Sequence, residues 1–255
     1  MVSTPVKGTI APWLVIAGPG ISQQGTVPSS IDLPEGDTAV VITGVRPLNA
    51  DYEPFTPIAG YQTAMYDGLA PSTGTYIIAV YTPGEAGPYT LATGTLEAFT
   101  ASEWIMVPLN QLQIRLWQEQ SPLLIFGPYL AVMIIGIFLF LKRPGRPQMS
   151  PAAWFGCVAG LLYIGTGAAT LIQTIIALQM APAGLIVLVT LVFVAIALGA
   201  GVSAVNTSIH SNKSTHIRFR ILMVLIGIIG LAAWAGVILG PVILFLAALM
   251  PDRYL

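Results

Sequence analysis

No aspartate or glutamate occurs between residues 123 and 250, and no histidine or cysteine occurs before residue 157. Only 8% of the chain is charged, against roughly 25% in an ordinary soluble domain. The missing His and Cys exclude Ser-His-Asp and Cys-His nucleophile sets built within the first 120 residues. They also remove ordinary zinc, copper and haem ligation there. The single cysteine, Cys157, allows no internal disulfide and is silent on redox compartment. Charge itself is divided unevenly. Residues 1–120 carry three basic and ten acidic side chains, a net of −7, whereas residues 121–255 carry seven basic and one acidic, a net of +6.

The acid-free stretch is cut at 142–147, 179–182 and 208–220, and apolar runs lie between the cuts. A bilayer crossing needs about 20 residues. Four spans are therefore expected, at about 123–141, 154–178, 185–205 and 221–250, making residues 121–255 a four-helix transmembrane bundle. Thirty residues exceed one crossing, so the fourth span should kink at Gly240-Pro241 or protrude. Lys142, Arg143 and Arg146 follow the first span, and Lys213, Arg218 and Arg220 precede the fourth. An odd–even count puts both basic loops on one side, which the positive-inside rule makes cytoplasmic. The amino-terminal domain and the carboxyl terminus are then both expected to be extracytoplasmic, in a multi-pass protein of the cell membrane. Lys7 precedes the apolar run 10–17, but Pro12 interrupts that run and Gly18-Pro19-Gly20 ends it, too early for a signal-peptide core.

Residues 1–99 read as short strands between turns. Segments 14–16, 39–42, 75–81 and 89–93 are rich in β-branched and aromatic residues, separated by Pro- and Gly-bearing breakers. This pattern predicts an antiparallel β-sandwich or jelly roll, so the whole chain is an α+β membrane protein. The paired segments 74–80 and 87–94, each with a Gly-Tyr-apolar pattern, resemble the last hairpin of bacterial pre-peptidase C-terminal domains. Over 31–99 that resemblance implies a non-catalytic extracytoplasmic module. Glu35, Asp37, Asp51, Glu53 and Asp67 offer hard oxygen ligands, but no EF-hand spacing joins them. A solvated acidic surface is their expected role. No metal or other cofactor is expected, and no nucleic-acid partner.

Residues 100–120 form a connector. Thr100 and Glu103 have capping-box spacing, and Ile105, Leu109, Leu112 and Leu116 share one helical face. Trp104 and Trp117 are amphipathic side chains suited to the headgroup level, so this helix is expected at the membrane interface.

The second span carries the one patterned polar stripe: Tyr163, Thr166, Thr170, Gln173 and Thr174 fall within about 100° on a helical wheel. Gly156 and Gly160 run beside it, and Gly236 and Gly240 repeat the small-xxx-small spacing further on. Such positions let helices approach closely, so helix packing is their expected use. Asp, Glu, Lys, Arg and His are absent from all four expected spans. This disfavours a proton-driven pump. The preferred expectation is a non-catalytic accessory or scaffolding subunit, with membrane lipids and other integral membrane subunits as partners. A small-solute transporter or channel using the polar stripe comes second, and an extracytoplasmic enzyme with carboxylate chemistry third.

Overall fold

The computed structural model describes residues 1–94, 98–143, 149–210 and 216–251, with the side chains of Trp117 and His216 excepted. Among these residues the chain forms seven strands and then six α-helices. It divides into two compact units, one of strands and one of helices.

The β unit contains β1 (Val2–Pro5), β2 (Trp13–Gly18), β3 (Thr38–Ile42), β4 (Asp51–Glu53), β5 (Ile58–Ala64), β6 (Ile77–Tyr81) and β7 (Thr90–Leu91). One sheet has the order β4-β5-β1-β7 and the other β3-β2-β6, with every pairing antiparallel. Val2 and Ala64 from the first sheet and Leu14, Ile16 and Val40 from the second share one buried core, so the two sheets form a sandwich. The outer face of β2 is not left to solvent. Val15, Ala17 and Ala39 are covered by Val27, Ile31 and Leu33 from the β2–β3 connection. That is why β2 reads as a continuous apolar run instead of alternating. β6 pairs with β2 and β7 pairs with β1, so the two segments expected as one hairpin lie in different sheets. β1, β4 and β5 carry too few apolar residues in alternation to stand out in the sequence; β5 includes Gly60, Gln62 and Thr63.

The helical unit comprises α1 (Ala101–Trp117), α2 (Pro122–Lys142), most of α3 (Pro151–Leu178), α4 (Val187–Ile209), α5 (His216–Ala232) and α6 (Leu239–Leu249). Residues Pro54–Pro57, between β4 and β5, cluster with it, while Ile176–Gly184 cluster with the strands. Among the described residues, α2, α3 and the stretch Gly184–Ile209 are long and apolar enough to cross a membrane. The start of α1 is the capping box: Thr100 Oγ1 accepts from the Glu103 amide, and the Glu103 carboxylate accepts from the Thr100 amide at 2.8 Å. Those bonds hold the Glu103 carboxyl below its ordinary range.

Residues 221–250 do not form the single long helix expected from their composition. The chain stops being α-helical after Ala232, turns through residues 233–238, and returns as α6 antiparallel to α5. Two observations establish the direction. Arg220 Nη2 donates to the Met250 carbonyl at 2.7 Å, and a Cβ built on Gly227 would lie 2.7 Å from the Phe245 ring. The break precedes the expected kink site, and Pro241 falls in the first turn of α6, where its missing N–H costs nothing. The turn includes left-handed backbone at Trp234, Gly236, Val237 and Ile238, with φ of 54°, 75°, 52° and 64°.

One apolar core joins α3, α4, α5 and α6, and alanines dominate it: Ala152, Ala159, Ala197, Ala200, Ala204, Ala247 and Ala248. α2 contributes nothing to that core.

Candidate functional site

The polar stripe of α3 divides between two tasks. At its amino-terminal end it serves packing. A Cβ on Gly156 would collide with Ser208, and one on Gly160 would lie 2.7 Å from the Gly201 carbonyl oxygen, so α3 and α4 touch backbone to backbone. Tyr163 is fully buried and donates to the Ile226 carbonyl at 3.3 Å. Its ring fills the space a side chain on Gly236 or Gly240 would need. These glycine positions are therefore all occupied by neighbours within the chain.

One turn further along, the stripe faces a cavity of about 50 Å³. Thr166, Ala169, Thr170 and Gln173 of α3 line it, with Ile125 and Tyr129 of α2, Trp234 and Val237 of the α5–α6 turn, and Pro108, Gln111, Leu112 and Arg115 of α1. The α1 face turned inward centres on Trp104, Pro108, Gln111 and Arg115 and shares Leu112 with the expected apolar face. Its spacing is that of Ile105, Leu109, Leu112 and Leu116, displaced by one residue. Ile105 and Leu116 are instead 40% and 45% exposed. Trp104 packs against Phe99 and Trp234, with ring centroids 6.0 and 4.6 Å apart. The Trp117 side chain lies outside the described residues.

Arg115 is the notable member of the lining. It is 7% exposed, and its Nη1 has no hydrogen-bond partner. Burial pulls its guanidinium down to about 10, with nearby Tyr129 opposing that shift. No carboxylate belongs to the lining. Its polar neighbours are largely committed elsewhere. Gln111 Nε2 donates to the Phe55 carbonyl at 3.2 Å, and Thr166 Oγ1 donates to Leu162 O and accepts from the Gly236 amide at 2.8 Å. Gln173 and Gln120 exchange amide bonds at 3.2 and 3.4 Å, and Thr174 donates back to Thr170 O at 2.7 Å.

Trp234 closes the cavity on one side and anchors an aromatic cluster on the other. It stacks on Phe193 at 5.6 Å, meets the Phe55 ring edge-on at 6.4 Å, and donates Nε1–H to the Trp104 carbonyl at 3.1 Å. Thr190 Oγ1 donates to the Pro54 carbonyl at 2.6 Å, which ties Pro54–Pro57 into this same unit.

Sequence patterning singled out Thr166, Thr170 and Gln173 but not Arg115, Gln111, Tyr129 or Gln120. The available signal was that Arg115 is the sole basic residue between Arg46 and Lys142. Among the described residues no three His, Cys, Asp or Glu side chains gather around a common point. Comparison with protein-family models, curated proteins and solved structures found no match.

Proposed function

We propose that this chain is a non-catalytic accessory subunit that anchors an extracytoplasmic β-sandwich to the membrane and docks, through α2, on a transmembrane helix of another integral membrane chain. The observation that carries this reading is the bare outer face of α2, whose inner face packs on α3 through Tyr129, Gly136 and Phe140. Only 17% of the most apolar stretch of α2 is buried, against 28% for Gly184–Ile209 and 50% for α3, and α2 takes no part in the shared core. Leu130, Ile134, Phe138 and Leu141 follow one another at helical spacings of four, four and three residues and are all more than half exposed. A ridge with that spacing suits interdigitation with a facing helix. The glycine seams are consumed inside the chain and so do not supply the docking surface.

In this reading the basic residues at the end of α2 and at the start of α5 favour the cytoplasmic side for the connections they adjoin. Because α6 returns beside α5, the end of α6 stays on that same side, contrary to the expectation for a fourth complete span. Single cysteines at Ile134 and Phe138, in a Cys157→Ala background, test the docking. Photo-crosslinking in native membranes should yield a discrete heavier adduct containing a second membrane chain. Adducts to lipid alone would sink the proposal.

A second reading, a small-solute pathway along α3, draws support from the polar residues that line the cavity. Reconstituted protein that moves a solute, with the flux lost in Thr170→Val, would favour it.

A further inference from the structure

We propose that the Arg115 cavity is a binding site for one small monovalent anion of about halide size. The inference goes beyond the docking role and holds whether or not α2 meets a partner chain. A guanidinium taken out of water is costly unless a compensating charge or full set of hydrogen-bond acceptors accompanies it. Arg115 has neither: it is 93% buried by its 7% exposure, its Nη1 is unpartnered, and no acidic side chain lines the space in front of it. Of the two amides in the lining, Gln173 is paired on both its oxygen and its nitrogen with Gln120, and Gln111 Nε2 donates to the Phe55 carbonyl.

The remaining lining suits an anion. Thr170 brings a hydroxyl that can donate, and Tyr129, whose own hydroxyl bonds Thr166, stands beside Arg115. Ile125, Ala169 and Trp234 form apolar walls, which lower the local dielectric and strengthen attraction between a guanidinium and an anion. Volume sets the class of ligand. A single water needs about 10–15 Å³, whereas drug-sized ligands occupy pockets of about 300 Å³ or more. A pocket of about 50 Å³ admits a halide with a water or two and is too small to enclose a sugar or a nucleotide.

The experiment uses the full chain in mild detergent. Thermal unfolding is followed in sodium chloride, then in sodium bromide, from about 1 to 300 mM, with gluconate holding ionic strength constant. A ligand that binds only the folded state raises Tm with the logarithm of its concentration above Kd. Wild type should show that rise for chloride and bromide. Arg115→Met should lose it, and Thr170→Val should shift its onset to several-fold higher concentration. Equilibrium dialysis with radiolabelled chloride keeps the test open if Arg115→Met fails to fold: wild type should retain one chloride per chain. The same Tm in chloride and gluconate, a normal response in Arg115→Met, or no retained chloride would each overturn the site.

Discussion

Arg115 combines three properties that rarely coincide: a full positive charge, near-complete burial and an unpartnered nitrogen. Its guanidinium is pulled to about 10 by burial, a cost of roughly 3 kcal/mol at most to the charged folded state. The sign follows from proton counting. Between about pH 10 and the ordinary arginine value the folded state binds fewer protons than the unfolded, so stability rises with pH there. Below pH 10 the cost is borne in full. In chloride-free gluconate at pH 7.5, Arg115→Met should therefore raise Tm by at least about 2 °C, and that gap should narrow above pH 10. Gly160 makes a different case. Its neighbour is the Gly201 backbone of the same chain, so Gly160→Leu should abolish folded yield and not merely assembly with a partner. Gln173→Leu removes one amide pair with Gln120, worth about 1 kcal/mol or less in such settings, and should still give folded protein. Size-exclusion profiles of the two variants distinguish these outcomes.

Among the elements, the α5–α6 hairpin departs furthest from its sequence pattern. The length of 221–250 and its Gly240-Pro241 pair mark a break but not a reversal, because the apolar period is the same on either side of the turn. The turn is held from outside. Gly236 donates its amide to Thr166, and Tyr163 packs against the glycine face. Gly236 also sits at φ 75°, where a side chain is strained and the space is already filled. Gly236→Val should destabilise by about 2 kcal/mol or more. Val237, a β-branched residue at φ 52°, works against its own turn. Val237→Asn, which tolerates that conformation, should cost under about 1 kcal/mol or stabilise. Chemical denaturation in detergent reads both. α1 gives the complementary lesson. Its capping box was legible because it is local, but its inward face was not, because the residues that pack beneath it come from α2, α3 and the distant turn.

For the whole molecule the decisive prediction concerns sidedness. In a Cys157→Ala background, single cysteines at Ser72, His210 and Pro251 are offered to an impermeant reagent from outside intact cells. Labelling is expected at Ser72 alone. A labelled Pro251 would mean that residues 216–250 cross the membrane completely, against the returning geometry of α6. Labelling of His210 without Ser72 would invert the proposed topology.

What the sequence determined by itself was set by composition and short-range pattern. The strand-rich amino-terminal domain, the connector with its cap, three apolar helices of membrane length and the polar stripe of α3 all follow from residues close together in the chain. Tertiary structure alone decided the rest. Apolar periodicity cannot tell a 30-residue helix from two shorter ones folded together, since reversal depends on Thr166 and Tyr163 some 70 residues away. The division of strands between two sheets, with β6 and β7 parted, rests on pairing across the fold. Arg115 stood out in the sequence only as the sole basic residue between Arg46 and Lys142, and its burial, a property of the surroundings, was decided when α1 turned it inward.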